Sequence, residues 1–328
     1  MKKNIILILS VVIVLLNSCY KEEPLSPSSS ENSDRFEFPQ GNNDYDQIAK
    51  DVFDRFGVKI IYKDFVDTDF NLSWTNPGIG KTGYPIPENQ RKDAVHFMAN
   101  HIFGFLTPEI TKKVLPPYFY IADSISQYSK IENPTSTYES VTPTSYFYTG
   151  IDFWSFTWNN AASWSKMNGT YTAQPSNPLI RPRTPFQVFY RRGVMLKEVY
   201  KNSIIKGNIV PPEGFNTGFD FTTKVESAAA MKDNPNYYLT RGFPGIFASS
   251  LNFNLSRLTS VTQTGPSLIF RDYVLLSMRY DADSIEILMP KASYPMIHEK
   301  YTIVIEHMKN KYGIDLTKIA TKPENGYQ

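Results

Sequence analysis

The chain contains a single cysteine, Cys19, among its 328 residues. An intramolecular disulfide and a cysteine-ligated zinc cluster are both excluded, because each needs at least two cysteines. With 41% hydrophobic and 20% charged residues, the composition is that of an ordinary globular chain. A formal net charge of +2 gives no electrostatic reason to expect a nucleic-acid partner.

The N-terminal segment accounts for this cysteine. Two lysines at positions 2 and 3 precede an apolar run over residues 5–16, and Leu16-Asn17-Ser18-Cys19 follows. A basic start, an apolar stretch and small residues before a cleavage point are typical of a signal peptide. The run is shorter than the roughly 20 residues of a membrane-spanning helix. The Leu-x-Ser-Cys ending resembles the bacterial lipobox, so we expect residues 1–18 to be removed and Cys19 to be acylated. The alternative is a plain signal peptide followed by an incidental cysteine.

Residues 19–42 are predicted to form a flexible tether. This segment is rich in serine, proline and acidic residues, which cannot bury apolar surface. The charged triplet Lys21-Glu22-Glu23 resembles the export signal of surface lipoproteins in Bacteroidetes-type bacteria. We therefore expect the protein to be lipid-anchored through Cys19 in the outer membrane, at the cell surface, with membrane lipid as its first partner.

Residues 43–328 are predicted to form the folded domain, with an N-terminal lobe over about residues 43–183 and a C-terminal lobe over about 184–328. Apolar residues recur at helical spacing in five segments: residues 44–56, 88–106, 184–202, 267–280 and 295–312. Strand-like patterns cover three others: residues 58–62, 118–122 and 145–158. Helices on both sides of an aromatic antiparallel sheet region indicate an α+β, helix-rich fold.

The four histidines are poorly spaced for a metal site. His96 and His101 share one predicted helix, but five residues separate them by about 140° around the axis. The H-E-x-x-H pattern needs two histidines four residues apart. His298 is followed by a glutamate, yet Thr302 stands where the second histidine belongs, and His307 lies nine residues on. We expect ordinary helix positions for all four, with His298 and His307 at the surface of the last helix.

An aromatic stripe is the other candidate for a binding site. Trp154, Phe156 and Trp158 alternate with other residues, so they share one face of a predicted strand. Such a face either belongs to the sheet core, which we favour, or stacks against sugar rings. Gly-rich phosphate loops and the G-x-S-x-G motif are absent from the sequence.

Several segments, taken in order, resemble one family. It comprises the Bacteroidetes lipoproteins described as substrate-import-associated zinc metallohydrolases, or zinc metallopeptidases, which accompany TonB-dependent uptake porins and starch-binding-type lipoproteins. The resemblance covers most of the mature chain and implies a zincin-like metallopeptidase fold. The segments that carry it are residues 56–62 (FGVKIIY), 106–121 (LTPEITKKVLPPYFYI), 210–215 (VPPEGF), 241–243 (RGF), 270–274 (FRDYV) and 312–316 (YGIDL).

The resemblance also implies where a zinc site would lie, and the ligands are missing there. Family members carry H-E-x-x-H on the helix that precedes the PPEGF-like loop. In this chain Arg191, Arg192 and Met195 occupy the three positions, and only Asp272 keeps a carboxylate in the acidic segment expected later. An arginine is a permanent cation and cannot ligate Zn²⁺. No zinc or other cofactor is therefore expected. The two arginines either pair with local acids such as Asp272, which we favour, or bind an anion.

These observations predict a catalytically inactive accessory lipoprotein of a nutrient-uptake assembly. Its expected partners are a TonB-dependent porin with its partner lipoprotein, and a peptide or glycan ligand in the former cleft. Two alternatives stay open. One is an active metallohydrolase with a relocated site that draws on His96 and His101. The other is a glycan-binding lipoprotein that uses the Trp154–Trp158 face.

Overall fold

The computed structural model describes residues 34–70, 81–143, 147–150, 152–159, 163–174, 184–247 and 253–324. The predicted signal peptide, Cys19 and most of the predicted tether lie outside these residues. Of the described residues, those from Phe38 onward belong to one compact unit, and residues 34–37 belong to another. Within the described part, no helix combines the length and apolar character required to cross a membrane.

The larger unit contains a mixed sheet, whose described strands run in the order β5-β6-β3-β4-β7-β8, with β1 and β2 also paired to β3. The strands are β1 (Lys59–Ile61), β2 (Lys81–Pro85), β3 (Tyr118–Asn133), β4 (Ser136–Pro143), β5 (Phe147–Thr149), β6 (Phe153–Thr157), β7 (Ser163–Met167) and β8 (Thr170–Gln174). Strand β3 organises the sheet. Its first residues pair in parallel with β1 and β6, and its later residues pair antiparallel with β2 and β4.

Along the chain, helices precede, separate and follow the strands of the sheet. They are α1 (Asp44–Phe56), α2 (Asp67–Phe70), α3 (Glu88–Phe97), α4 (Pro108–Thr111), α5 (Pro185–Ile205), α6 (Ile269–Arg279), α7 (Ala282–Leu288), α8 (Pro295–Tyr312) and α9 (Leu316–Ala320). Helix α3 continues as a π-helical turn over Met98–Ile102 and a 3₁₀ turn over Phe103–Phe105. The fold is thus a mixture of helices and sheet, as predicted.

Local signals set the ends of the helices that matter most for the site. Helix α5 begins where the Gln187 backbone N–H donates to Thr184 Oγ1 (3.2 Å) and the Thr184 N–H donates to Gln187 Oε1 (3.1 Å). Pro185 follows at the first helical position, where its missing N–H costs nothing. Helix α8 ends at Gly313, whose φ of 69° suits glycine. The predicted helices 44–56 and 295–312 are confirmed residue for residue.

One sequence prediction about the sheet is wrong. The sheet is not purely antiparallel, because β1 and β6 both run parallel to β3. The favoured prediction for the Trp154–Trp158 face, that it belongs to the sheet core, is confirmed, and the sugar-stacking alternative is excluded by burial. Trp154 is only 7% exposed, and Phe156 and Trp158 are fully buried. The Phe156 ring stacks on Phe97 from the end of α3, with centroids 5.4 Å apart, so these aromatic residues form the core between sheet and helix.

Candidate functional site

Helix α5 brings charged side chains into the protein interior. Every residue from Arg191 to Tyr200 is buried, as expected for a helix covered on all sides. Within this stretch the side chains of Arg191, Arg192, Lys197 and Glu198 are ionisable. A buried charge is costly unless partners compensate it, so the surroundings of these four residues decide their roles.

The two arginines are bound by backbone oxygens and aromatic rings. Arg191 Nη2 donates to the carbonyl of Thr157 in β6, and the guanidinium lies 4.1 Å from the centre of the Phe156 ring. Arg192 Nη2 donates to the carbonyl of Ile319 at 2.6 Å and to that of Thr321. Burial lowers the pKa of Arg192 to about 10, which leaves it charged at neutral pH. The contacts of both arginines therefore hold other parts of the chain against helix α5, which is a structural role.

Asp272 does not pair with these two arginines as predicted. Its Oδ1 accepts from Nη2 and Nε of its neighbour Arg271, at 2.7 and 3.1 Å, and its Oδ2 accepts from the Thr264 hydroxyl at 2.8 Å. Burial raises the pKa of Asp272, while Arg271 and Thr264 act in the opposite direction. The carboxylate therefore orients Arg271 at the start of helix α6.

The remaining predicted site position, Met195, is a core residue. Its side chain is 2% exposed and belongs to the main hydrophobic cluster. Nearby, a Cβ on Gly193 would lie 2.2 Å from a ring carbon of Phe253, so this part of the helix is packed directly against the loop that precedes α6. The positions predicted for a degenerate zinc site thus lie in packed interior.

A pocket of about 350 Å³ opens one turn further along α5. It is lined by three residues of α5, two of α6 and three of the loop region between these helices: Lys197, Glu198, Lys201, Arg271, Leu275, Ile246, Phe247 and Gln263. The sequence analysis did not predict this site.

The charges around this cationic pocket are unequal. Glu198 Oε1 lies 3.9 Å from Lys197 Nζ, and Glu198 Oε2 lies 3.4 Å from Lys201 Nζ. Three cations and one carboxylate therefore line the pocket. Burial lowers the pKa of Lys197 to about 8; Lys201 and Arg271 act in the same direction, whereas Glu198 opposes the shift.

One carboxylate oxygen of Glu198 lacks a hydrogen-bond donor among the described residues. Its side chain is 9% exposed, and within the described residues its buried Oε1 atom receives no hydrogen bond. A buried acceptor without a donor is costly, and a hydroxyl, a water or a protonated amine in the pocket would satisfy it. The pocket thus combines cationic donors for an anion with one carboxylate that can accept a proton.

The spacing of these residues explains why sequence reasoning missed them. Lys197, Glu198 and Lys201 stand at the i, i+1 and i+4 positions of an H-E-x-x-H pattern, with lysine in both histidine positions. A search for histidine passes over such a segment. The available signal was the presence of three charged residues within about one turn, directly after the apolar stretch over residues 193–196.

The histidines lie in separate places. His101 falls in the π-helical turn after α3 and stacks on the Phe97 ring, with centroids 5.6 Å apart. In helix α8, His298 bonds the Met289 carbonyl oxygen at 2.7 Å, and His307 bonds that of Val210 at 2.8 Å. Both α8 histidines are partly buried rather than fully at the surface. In the part of the chain that the structure describes, no three His, Cys, Asp or Glu side chains form a group suited to a metal ion.

Comparison with known proteins gives one distant structural match. No protein-family model matches the chain, and no curated protein matches it. The match is to the crystal structure of a protein from Bacteroides caccae, assigned as a zinc-binding metallo-peptidase. It covers 84% of this chain and 88% of that chain, at 11% identity and a TM-score of 0.41. A score at this level does not establish a shared fold, so the zincin-like fold stays a prediction.

Proposed function

We propose that this protein is a non-catalytic binding protein, held at the outer membrane by acylated Cys19, that captures a carboxylate-bearing ligand in the cationic pocket. The observation that carries the proposal is the excess of cations in that pocket. Lys197, Lys201 and Arg271 line it together with a single carboxylate, Glu198. Asp272 pairs with Arg271 from outside the lining, so the three cations and two carboxylates leave a formal charge of about +1 that an anion in the pocket would balance.

The available donors suit a carboxylate. Arg271 uses Nε and Nη2 for Asp272, and a ligand carboxylate would bind its Nη1. The two lysines supply ammonium donors from the facing helix α5. Hydrogen bonds between ionised donors and carboxylates are about twice as strong as neutral ones, and they are strongest where water is scarce. Lys197 is 2% exposed. A ligand carboxylate would therefore contact an ammonium group that is almost completely shielded from solvent.

The size of the pocket limits the ligand. Its volume of about 350 Å³ is at the lower end of the range of roughly 300–1,000 Å³ for small-molecule sites. That space suits one acidic sugar ring or one acidic amino-acid residue. The carboxylate could thus come from a glycan or from a peptide, and the binding experiment has to separate the two.

Calorimetry on the purified protein tests the proposal. One arm compares D-glucuronate with neutral D-glucose, and the other compares a Gly-Glu dipeptide with Gly-Gln. We expect the acidic member of one arm to bind at least about tenfold tighter than its neutral match, since a charge-assisted contact contributes about 1.5–3 kcal/mol. The arm that shows this difference identifies the source of the carboxylate.

A pair of lysine variants provides the control. Lys201→Met removes a pocket cation and should weaken binding of the acidic ligand about tenfold. Lys50→Met removes an exposed lysine of α1, paired only with Asp54 in the described contacts, and should leave affinity unchanged. Equal affinity for acidic and neutral ligands in both arms, or no effect of Lys201→Met, would overturn the proposed function.

The lipid anchor is tested separately. Cys19→Ala removes the only thiol of the chain, so we expect this variant to lose metabolic labelling with a palmitate analogue and to leave the membrane fraction. Labelling that persists in the variant would contradict the anchor. The proposed assembly with a TonB-dependent porin and its partner lipoprotein rests on the family resemblance and is tested by their co-purification from the outer membrane.

A further inference from the structure

The cationic pocket contains an amine that anion binding alone does not require. Lys197 is buried on helix α5, although a partly exposed cation such as Lys201 would serve equally well for attraction. Its Nζ lies 3.9 Å from Glu198 Oε1, the buried carboxylate oxygen that receives no hydrogen bond within the described residues. A buried amine next to a proton acceptor, with cations beyond it, is the arrangement of amine nucleophiles.

We infer that Lys197 forms a reversible iminium bond with an anionic aldehyde or ketone, such as a 2-oxo acid or the open-chain form of a uronic acid. The inference rests on the proposed function, because Lys201 and Arg271 hold the carboxylate of the same ligand. Lys201 and Arg271 line the same pocket as Lys197 and are more exposed than it is, so a carboxylate held by them would bring the rest of the ligand into the space that Lys197 lines.

The steps balance without an oxidant or a reductant. The neutral Nζ adds its lone pair to the carbonyl carbon, and the carbonyl π electrons move to oxygen. Glu198 Oε1 takes a proton from nitrogen and delivers it to that oxygen, which leaves as water once a second proton arrives. The nitrogen lone pair then forms the C=N bond of the iminium. Addition of water reverses the sequence and releases the ligand unchanged, so the protein captures its ligand without turning it over.

The electrostatic surroundings favour the nucleophilic form of the amine. Burial lowers the pKa of Lys197 to about 8, Lys201 and Arg271 reinforce the shift, and Glu198 opposes it. About a fifth of the Lys197 side chains are then uncharged near pH 7.4, against about a thousandth for an ordinary lysine. The difference is enough to direct carbonyl chemistry to this one lysine.

Borohydride trapping tests the inference on the full-length protein. Pyruvate and D-glucuronate serve as carbonyl probes, and L-lactate, which carries the carboxylate without a carbonyl, serves as the matched control. Borohydride reduces an iminium to a stable secondary amine, which peptide mapping by mass spectrometry locates. We expect Lys197 to be labelled at least about tenfold more than exposed Lys50 with a carbonyl probe, and not at all with L-lactate.

Two lysine-to-arginine variants test whether the trapped amine is Lys197. Lys197→Arg keeps a cation but removes the nucleophilic amine, so specific labelling should disappear. Lys50→Arg should label as the wild type does. Labelling of Lys197 no greater than that of Lys50 overturns the iminium.

Calorimetry on the same wild-type sample separates the two proposals. If glucuronate or Gly-Glu binds more tightly than its neutral match but Lys197 is not trapped, the proposed function stands and the iminium falls. If no acidic ligand is preferred and none is trapped, both fall.

Discussion

The two halves of helix α5 differ in the surroundings of their buried cations. In the first half, Arg191 and Arg192 are bound by carbonyl oxygens of β6 and of the segment around α9, and they lie over aromatic rings. In the second half, Lys197 and Lys201 share one carboxylate and face a pocket. Both halves bury positive charge, but among the described pockets only the cations of the second half form part of a pocket lining.

This difference separates structural charge from charge available to a ligand. A guanidinium that lies on aromatic faces and donates to backbone oxygens stabilises the packing of distant segments. An ammonium that lines a cavity can also contact a ligand that enters it. Burial of a charged residue alone therefore does not indicate function, whereas burial together with an adjacent cavity does.

The largest expected effect is a loss of stability from a substitution in the first half of α5. Arg192→Ala removes the donor to the Ile319 and Thr321 carbonyls and opens a cavity beside Phe105, whose ring lies 5.2 Å from the guanidinium carbon. We expect a loss of about 4 kcal/mol in the free energy of unfolding, measured by urea denaturation. Lys201→Ala, on the same helix at the pocket, should cost less than about 1 kcal/mol. Similar losses in the two variants would erase the distinction between the halves.

The next effect concerns the pH dependence of stability. The pKa of Lys197 is about 8 in the folded protein and near 10.5 when unfolded. Between these pH values the unfolded chain binds more protons, so the free energy of unfolding should rise with pH, by at most about 3 kcal/mol. In the Lys197→Met variant, this rise in the free energy of unfolding with pH should be absent.

Urea denaturation of wild type and variant at pH 7.5 and 10.5 measures the gain. Burial also lowers the pKa of Lys81 to about 8, but that contribution is common to both proteins and cancels in the difference. Parallel stability curves for the two proteins would show that Lys197 titrates normally.

A third experiment asks which half resembles a metal site. Lys197→His with Lys201→His creates an H-E-x-x-H sequence that faces the pocket, whereas Arg191→His with Met195→His places two histidines in packed core. We expect the first double variant to bind Zn²⁺ about a hundredfold tighter than the wild type, as measured by competition with a zinc-sensitive dye. The second should bind no better than the wild type. The reverse result would restore Arg191 and Met195 as the degenerate site.

The sequence predicts the fold best where local signals decide. Helices α1 and α8 are predicted in full because a capping box opens α1, Pro295 opens α8, and Gly57 or Gly313 follows the apolar stripe. Strands β7 and β8 are missed because their sequences, SWSKM and TYTAQ, contain too few apolar residues to mark a strand face. The parallel pairing of β6 with β3 depends on long-range contacts, which periodicity does not report.

The site is harder to predict for a related reason. Lys197 and Lys201 are typical helix-surface residues in a sequence, since a lysine is almost never fully buried without a partner. Only the packing of the loop around Ile246 and Phe247 against α5 and α6 reveals that they enclose a pocket. Conversely, Arg191 and Arg192 attracted attention through the family pattern, and tertiary structure assigns them to packing.

The contacts of Arg192 also set an order for folding. Its Nη2 donates to carbonyls that lie 127 and 129 residues further along the chain. Until that segment has been synthesised and has docked, the core around α5 would contain an uncompensated cation, so earlier closure is unfavourable. The core around α5 is thus expected to close only after nearly the whole chain has been made.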